Sequence, residues 1–139
     1  MREGSVFLGF YLISKTFSFM TNSEFNEQFR NRTRDFAIRV IRFLESTSFH
    51  IATKTLSFQL SKCATSVGAN FRAFCRGRSR NEFYAKICIV VEEADETIFW
   101  LEMLDALGCG NRSEVAALYH EASEILKISS KIKSSLAPP

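Results

Sequence analysis

The sequence has 139 residues, of which 46% are hydrophobic and 24% are charged. This length supports one domain with a single hydrophobic core, not two domains. There are six glycines, and both prolines stand at the very end of the chain, so a few long helices are favoured over many short strands. The net charge of +3 is unevenly divided, with +8 in residues 1–86 and −5 in residues 87–139. Such asymmetry indicates either a surface that faces a polyanion or complementary charge between subunits.

The first segment of the chain resembles a signal peptide only in part. An apolar run, Val6 to Ile13, follows Arg2, but Glu3 weakens the basic start and no small-residue cleavage site comes after the run. The run is also too short to span a bilayer. We therefore expect residues 1–20 to be an extension outside the fold of a cytoplasmic protein that does not enter a membrane. A secreted protein is the alternative.

The first two predicted helices cover residues 22–46 and 53–76. Helix 1 is expected to begin at Thr21, because Thr21-Asn22-Ser23-Glu24 has the form of a capping box. Apolar residues then recur at helical spacing, namely Phe25, Phe29, Phe36, Val40 and Phe43 in helix 1 and Leu56, Leu60, Cys63, Val67, Phe71 and Phe74 in helix 2. Gly77 is expected to end helix 2 as a left-handed C-cap.

The other two predicted helices cover residues 80–107 and 112–132. They open with Ser79-Arg80-Asn81-Glu82 and with Asn111-Arg112-Ser113-Glu114, which have the pattern of N-caps. Residues 134–139 are expected to form a disordered tail. Because the connections between helices are short, neighbouring helices should be antiparallel. The predicted fold is all-α, an antiparallel up-and-down four-helix bundle that occupies residues 21–133.

The sequence contains no pattern that indicates catalysis. It has no Glu-x-x-His pair for a di-iron site, no phosphate-binding loop and no nucleophile elbow. The four cysteines lack CxxC spacing, and we expect buried free thiols. An acidic run in helix 3 is expected to be a solvated or ion-pairing face, or a subunit contact with arginines; it comprises Glu92, Glu93, Asp95 and Glu96. We therefore predict a protein that is not an enzyme and that has no metal and no cofactor.

A basic cluster spans the end of helix 2, the following turn and the start of helix 3. Its members are Arg72, Arg76, Arg78, Arg80 and Lys86. Arginines can contact phosphates bidentately and release counterions from a nucleic acid on binding. The cluster is therefore our candidate nucleic-acid-binding site. The alternative is a solvated or partner-paired basic end, and the residues alone leave both open.

A polar stripe on helix 2 runs beside its apolar face, through Gln59, Ser66 and Asn70. Within it, Gly68 costs about 1 kcal/mol relative to alanine in a helix, so we expect another helix to approach closely there. We interpret the stripe as interface or structural polar residues, with Asn70 donating or accepting a hydrogen bond across a helix interface. Ligand binding is the alternative.

Several of these segments together resemble a known family. The matching residues are Gln59-Leu60, Ser66-Val67-Gly68-Ala69-Asn70-Phe71-Arg72, Arg78-Ser79-Arg80-Asn81-Glu82-Phe83, Glu92-Glu93-Ala94-Asp95-Glu96-Thr97 and Trp100-Leu101-Glu102. In this order they resemble the bacterial four-helix-bundle family of 23S rRNA intervening-sequence proteins. That family is similar in turn to the accessory variability determinant of diversity-generating retroelements, a basic pentamer that binds nucleic acid and a reverse transcriptase.

The resemblance implies a homopentamer in which Arg72, Arg76, Arg78 and Arg80 contact RNA or DNA. One position departs from the family, which often has Glu where this chain has Ala73. Any hydrogen bond or ion pair that this family carboxylate makes near Asn70 is therefore not expected here. The expected function is nucleic-acid binding by a non-enzymatic oligomer. The alternative is a protein-protein interaction scaffold, or an accessory subunit of a reverse transcriptase, without direct nucleic-acid contact.

Overall fold

The computed structural model describes residues 22–138, which form four α-helices and, within that range, no strand. The helices are α1 (Ser23–Glu45), α2 (Lys54–Phe74), α3 (Arg80–Ala106) and α4 (Arg112–Leu136). Each helix packs on the next along the chain, and α4 returns to α1 to close the bundle. The predicted four-helix bundle is confirmed. The expected N-terminal extension and Pro139 lie outside the described residues.

Local capping sets the starts of three helices. The Ser79 hydroxyl accepts a hydrogen bond from the Glu82 backbone N–H at 3.1 Å, and the Asn111 side chain accepts one from the Glu114 N–H at 3.1 Å. Both N-caps agree with the prediction from the sequence. For α1 the cap is Asn22, whose side chain accepts from the Phe25 N–H at 3.2 Å. The prediction of Thr21 as the cap was wrong by one position.

The core is one apolar cluster to which all four helices contribute. At one end of the bundle, aromatic rings join three helices. Phe29 of α1 meets Phe71 of α2 edge to face at 4.6 Å between ring centroids, and Phe74 meets Phe83 of α3 at 5.4 Å. Burying each ring contributes roughly 1.5–3 kcal/mol to folding. This aromatic packing fixes the end of α2 and the start of α3 against each other.

Close approach of α1 to α2 explains Gly68. A Cβ atom placed there would lie 3.4 Å from the Thr33 backbone oxygen. Thr33 is fully buried, and its hydroxyl donates a hydrogen bond to the Arg30 carbonyl oxygen at 3.0 Å. The predicted close approach of another helix at Gly68 is therefore confirmed.

Two predicted helix ends differ from the structure. The glycines of residues 22–138 with positive φ are Gly108 and Gly110, so Gly77 is not a left-handed cap. Gly77 instead lies against Phe83, since an added Cβ would come within 2.7 Å of that ring. At the other end of the chain, α4 continues through Leu136, which is only 8% exposed. Packing of Leu136 against the core extends the helix into residues that the sequence assigned to a tail.

Candidate nucleic-acid interface

The structure brings four of the predicted basic residues to one end of the bundle. Arg72 lies in the last turn of α2, Arg76 and Arg78 lie in the connection that follows, and Arg80 is the first residue of α3. All four are exposed. Lys86 follows on α3 and is half-buried. We call this end of the bundle, where α2 ends and α3 begins, the basic end.

Three of these arginines have no carboxylate partner inside the described chain. Arg72, Arg76 and Arg78 form no ion pair with any residue of 22–138. The turn itself is ordered by a backbone contact, in which the Arg78 N–H donates to the Glu82 carboxylate at 2.7 Å. The connection that carries Arg76 and Arg78 is thus anchored to α3, and all three arginines are exposed to solvent or to a partner.

Arg80 has a second role that the sequence did not reveal. Its Nε atom donates to the Leu136 carbonyl oxygen and its Nη2 atom donates to the Ala137 carbonyl oxygen, both at 3.3 Å. The last carbonyls of a helix have no partner within the helix and carry partial negative charge. Arg80 therefore caps the C-terminus of α4 and fastens it to the start of α3.

Basic residues of α1 and α4 also lie at the basic end, although they are not members of the predicted cluster. Burial raises the pKa of the Cys75 thiol, and the positive charge of Arg30 partly opposes this rise. Arg30 of α1 therefore lies near Cys75. Lys131 and Lys133 lie in the last turns of α4, whose terminus Arg80 holds. The antiparallel topology was the signal that could have found them, since it places the start of α1 and the end of α4 at this end.

The polar stripe of α2 is placed differently from the prediction. Gln59, Ser66 and Asn70 are half-buried. The Asn70 amide donates to both the backbone oxygen and the hydroxyl oxygen of Ser66, at 2.9 Å each. Those bonds stay within α2, so the expected hydrogen bond of Asn70 across a helix interface was wrong. Asparagine side chains can bond to nearby backbone groups of their own helix, and here Asn70 bonds to the carbonyl oxygen four residues earlier.

The acidic run of α3 lies on the surface. Glu92, Asp95 and Glu96 are exposed, while Glu93 is half-buried and its pKa is raised by that burial and by the charge of Glu96. In residues 22–138 no three His, Cys, Asp or Glu side chains are grouped closely enough to hold a metal ion. The run therefore forms an acidic surface on α3.

A shallow groove between α1 and α4 lies at the end opposite the basic end. Its volume is about 180 Å³, and it is lined by Arg39, Arg42, Phe43, Glu114, Ala117 and Leu118. Typical small-molecule sites have volumes of roughly 300–1,000 Å³. The groove is thus too small for a cofactor of ordinary size. The basic end, with its group of exposed arginines, is therefore the stronger candidate for a functional site.

Comparison with known proteins identifies the family. Residues 26–131 match the family described as 23S rRNA-intervening sequence protein. The chain belongs to this family. A crystal structure of a protein with unknown function from the S23 ribosomal protein family, from Bacteroides thetaiotaomicron, is similar, with 27% identity and a TM-score of 0.68. The similarity covers 78% of this chain and 97% of that one.

No curated protein matches the sequence. Each helix of this intervening-sequence family member, within residues 22–138, lacks the length of apolar sequence that a bilayer crossing requires. The resemblance on which the sequence analysis relied is confirmed, and it extends into α4.

Proposed function

We propose that this chain is a non-enzymatic, oligomeric protein of the cytoplasm that binds nucleic acid through its basic end. One observation carries the proposal. Arg72, Arg76 and Arg78 are all exposed within residues 72–78, at one end of the bundle, and have no ion-pair partner in residues 22–138. Positive charges held together without internal neutralisation attract a polyanion and release its counterions on binding.

The chemistry of this end suits the phosphate backbone better than the bases. Guanidinium groups bind phosphate oxygens through paired hydrogen bonds. Phe74, the aromatic residue nearest the three arginines in sequence, is fully buried between Phe71 and Phe83, so it offers no face for base stacking. The proposal therefore predicts strong salt dependence and weak sequence preference.

The family description supports an RNA ligand, because it refers to sequences that intervene in 23S rRNA. The proposed assembly is a homo-oligomer, with the pentamer that the family resemblance implies. The alternative function is an interaction scaffold, or an accessory subunit of a reverse transcriptase, without direct contact to nucleic acid. Such a scaffold would assemble through opposite charges, so its oligomer would dissociate at high salt.

Fluorescence anisotropy of labelled single-stranded RNA, duplex RNA and duplex DNA tests the proposal. The test variant replaces Arg72, Arg76 and Arg78 with alanine. A matched control replaces Arg39, Arg42 and Lys54, three exposed cations toward the opposite end of the bundle, and so removes the same charge. We expect the first variant to weaken binding at least tenfold and the control to change it about twofold or less. Equal losses in the two variants would show that the basic end is not the binding site.

A further inference from the structure

A second surface of unusual composition lies on the outward side of α3. Residues 87–111 contain six Asp or Glu and no Lys, Arg or His. Five of these carboxylates are exposed, and four of the five share one side of the helix at helical spacing, Glu92, Asp95, Glu96 and Glu102. None of the four forms an ion pair with another residue of 22–138. The helix therefore presents a row of negative charges over several turns, although the positive charge of Lys62 on α2 acts on the neighbouring Glu93.

Aromatic side chains lie among these carboxylates. Phe99 is 50% exposed, and Trp100 contacts its ring at 4.8 Å between centroids. Tyr119 reaches the same surface from α4, where it is 40% exposed and its hydroxyl donates to Glu102 at 3.4 Å. The Trp100 Nε1 atom donates to Glu96 at 3.2 Å. Neutral aromatic donors, not cations, thus hold two of the carboxylates in place.

Such a surface is unfavourable in isolation. Glu92 and Glu96 are one helical turn apart, and like charges at that spacing repel each other. A half-exposed phenylalanine within the same patch remains hydrated at a further cost, and grouped exposed aromatics are typical of interaction sites. Lysine or arginine side chains would relieve both effects, because their charged ends pair with carboxylates while their stems and cations cover aromatic rings.

We propose that this acidic aromatic face binds an arginine- or lysine-rich segment of another protein. The face is defined by Glu92, Asp95, Glu96, Phe99, Glu102 and Tyr119. Its charge excludes a nucleic acid as the occupant. The largest group of exposed cations on a second copy of this chain is its basic end, which we assign to nucleic acid, so the choice of a different protein rests on the proposed function. The bundle would then join a polyanion at its basic end to a cationic protein along α3.

Trp100 provides a direct readout, since it is the single tryptophan of the chain. The probe is a twelve-residue peptide of alternating arginine and alanine, about the length of a three-turn segment, and its control is the same peptide with glutamine in place of arginine. Titration of the full chain with the arginine peptide is expected to change the Trp100 emission saturably, and less so as salt increases. The glutamine peptide is expected to leave it unchanged.

Variants locate the binding, measured by anisotropy of the labelled peptide. Phe99→Ala is expected to lower the affinity for the arginine peptide about tenfold, which is the size of effect expected when a central aromatic contact is lost. Phe58→Ala is the matched control, because Phe58 is 68% exposed on α2 and lies outside the face. Replacing Glu92, Asp95 and Glu96 with their amides is expected to remove most of the salt dependence.

Three outcomes would overturn the inference. The first is that the arginine peptide fails to bind. The second is that Phe58→Ala lowers the affinity for the peptide as much as Phe99→Ala does. The third is that light scattering shows the oligomer to dissociate in Phe99→Ala. The last outcome would make the face a contact between copies of this chain. The RNA affinity of Phe99→Ala, expected to equal that of the unmodified chain, keeps a failure here distinct from a failure of the proposed function.

Discussion

Arg32 of α1 and Glu121 of α4 form a two-pronged ion pair that closes the bundle. The Arg32 Nε atom lies 2.6 Å from Glu121 Oε1, and Nη2 lies 3.0 Å from Oε2. The hydrogen bonds to Glu121 raise the pKa of the Arg32 guanidinium above its ordinary value. The pair joins the two helices that pack least extensively among neighbours in the bundle, so we expect its removal to affect stability.

Replacing Glu121 with glutamine is expected to lower the free energy of unfolding by about 1 kcal/mol. The value is modest because the Arg32 side chain is 34% exposed and solvent screens the charge. Asp35→Asn is the control, since the Arg34–Asp35 pair is far more exposed and should contribute about 0.3 kcal/mol or less. Urea unfolding of both variants measures the difference. Equal effects would mean that the Arg32–Glu121 pair does not stabilise closure.

The turn between α3 and α4 contains two glycines that should respond differently to substitution. The Cys109 N–H donates to the Leu104 oxygen at 2.9 Å and the Gly108 N–H to the Asp105 oxygen at 3.1 Å, which is a Schellman motif. At Gly108, with φ +65°, an added Cβ would meet nothing within 4 Å, whereas at Gly110, with φ +78°, it would come within 2.5 Å of the Phe43 ring.

Gly108→Ala is therefore expected to cost about 1–2 kcal/mol, the penalty of left-handed backbone alone. Gly110→Ala should cost at least about 1 kcal/mol more, because Phe43 is buried and can move only at the expense of core packing. Thermal unfolding of the two variants provides the comparison. A Gly110→Ala variant as stable as Gly108→Ala would contradict the described contact with Phe43.

Stability at alkaline pH should depend on Cys63. Burial raises the pKa of this thiol from 9.0 to about 11. The pKa of the thiol is higher in the folded state than in the unfolded state. The contribution of the neutral Cys63 thiol to the free energy of unfolding is therefore complete below pH 9, and it is lost as the pH rises from 9 toward 11. We expect the free energy of unfolding to fall over this range, and to fall less in Cys63→Ala.

At pH 8, iodoacetamide should label Cys63 more slowly than the half-buried Cys109. Comparable labelling rates at the two thiols would contradict the burial of Cys63.

The two roles of Arg80 can be separated from the single role of Arg76. Arg80→Ala removes the cap on the α4 carbonyls and should lower the free energy of unfolding by about 0.5–1 kcal/mol, with faster amide exchange in the last turn of α4. Arg76→Ala should leave stability within about 0.5 kcal/mol, since that side chain is exposed. Both variants should weaken RNA binding. Unchanged exchange near Leu136 in Arg80→Ala would argue against the cap.

Local signals in the sequence were enough to predict the four helices. Ser79 and Asn111 were identified as caps because each acceptor and its donor are three residues apart. The role of Gly77 was predicted wrongly, because a glycine after a helix has two possible explanations. It can adopt a left-handed backbone conformation, or, as here, it can allow close contact with an aromatic ring. The end of α4 was placed too early, because burial of Leu136 depends on the other helices.

The candidate site was predicted only where it is contiguous in sequence. Arg72, Arg76, Arg78 and Arg80 follow one another through a single turn, so their proximity needed no tertiary information. Arg30 reaches the same end through the bundle topology. The bond from Arg80 to Leu136 spans 56 residues, and no local pattern indicates a contact of that kind. The acidic run was identified in the sequence, but its combination with Tyr119 of α4 required the fold.

The salt dependence of RNA affinity tests the central proposal most directly. The logarithm of the binding constant should fall linearly with the logarithm of salt concentration, with a slope that counts phosphate contacts. Replacing Arg72, Arg76 and Arg78 with alanine should reduce the magnitude of that slope by about 2–3, roughly one for each lost contact. The matched Arg39, Arg42 and Lys54 variant should keep the slope of the unmodified chain. Identical slopes in the two variants, or no RNA binding by the unmodified chain, would contradict nucleic-acid binding through the basic end.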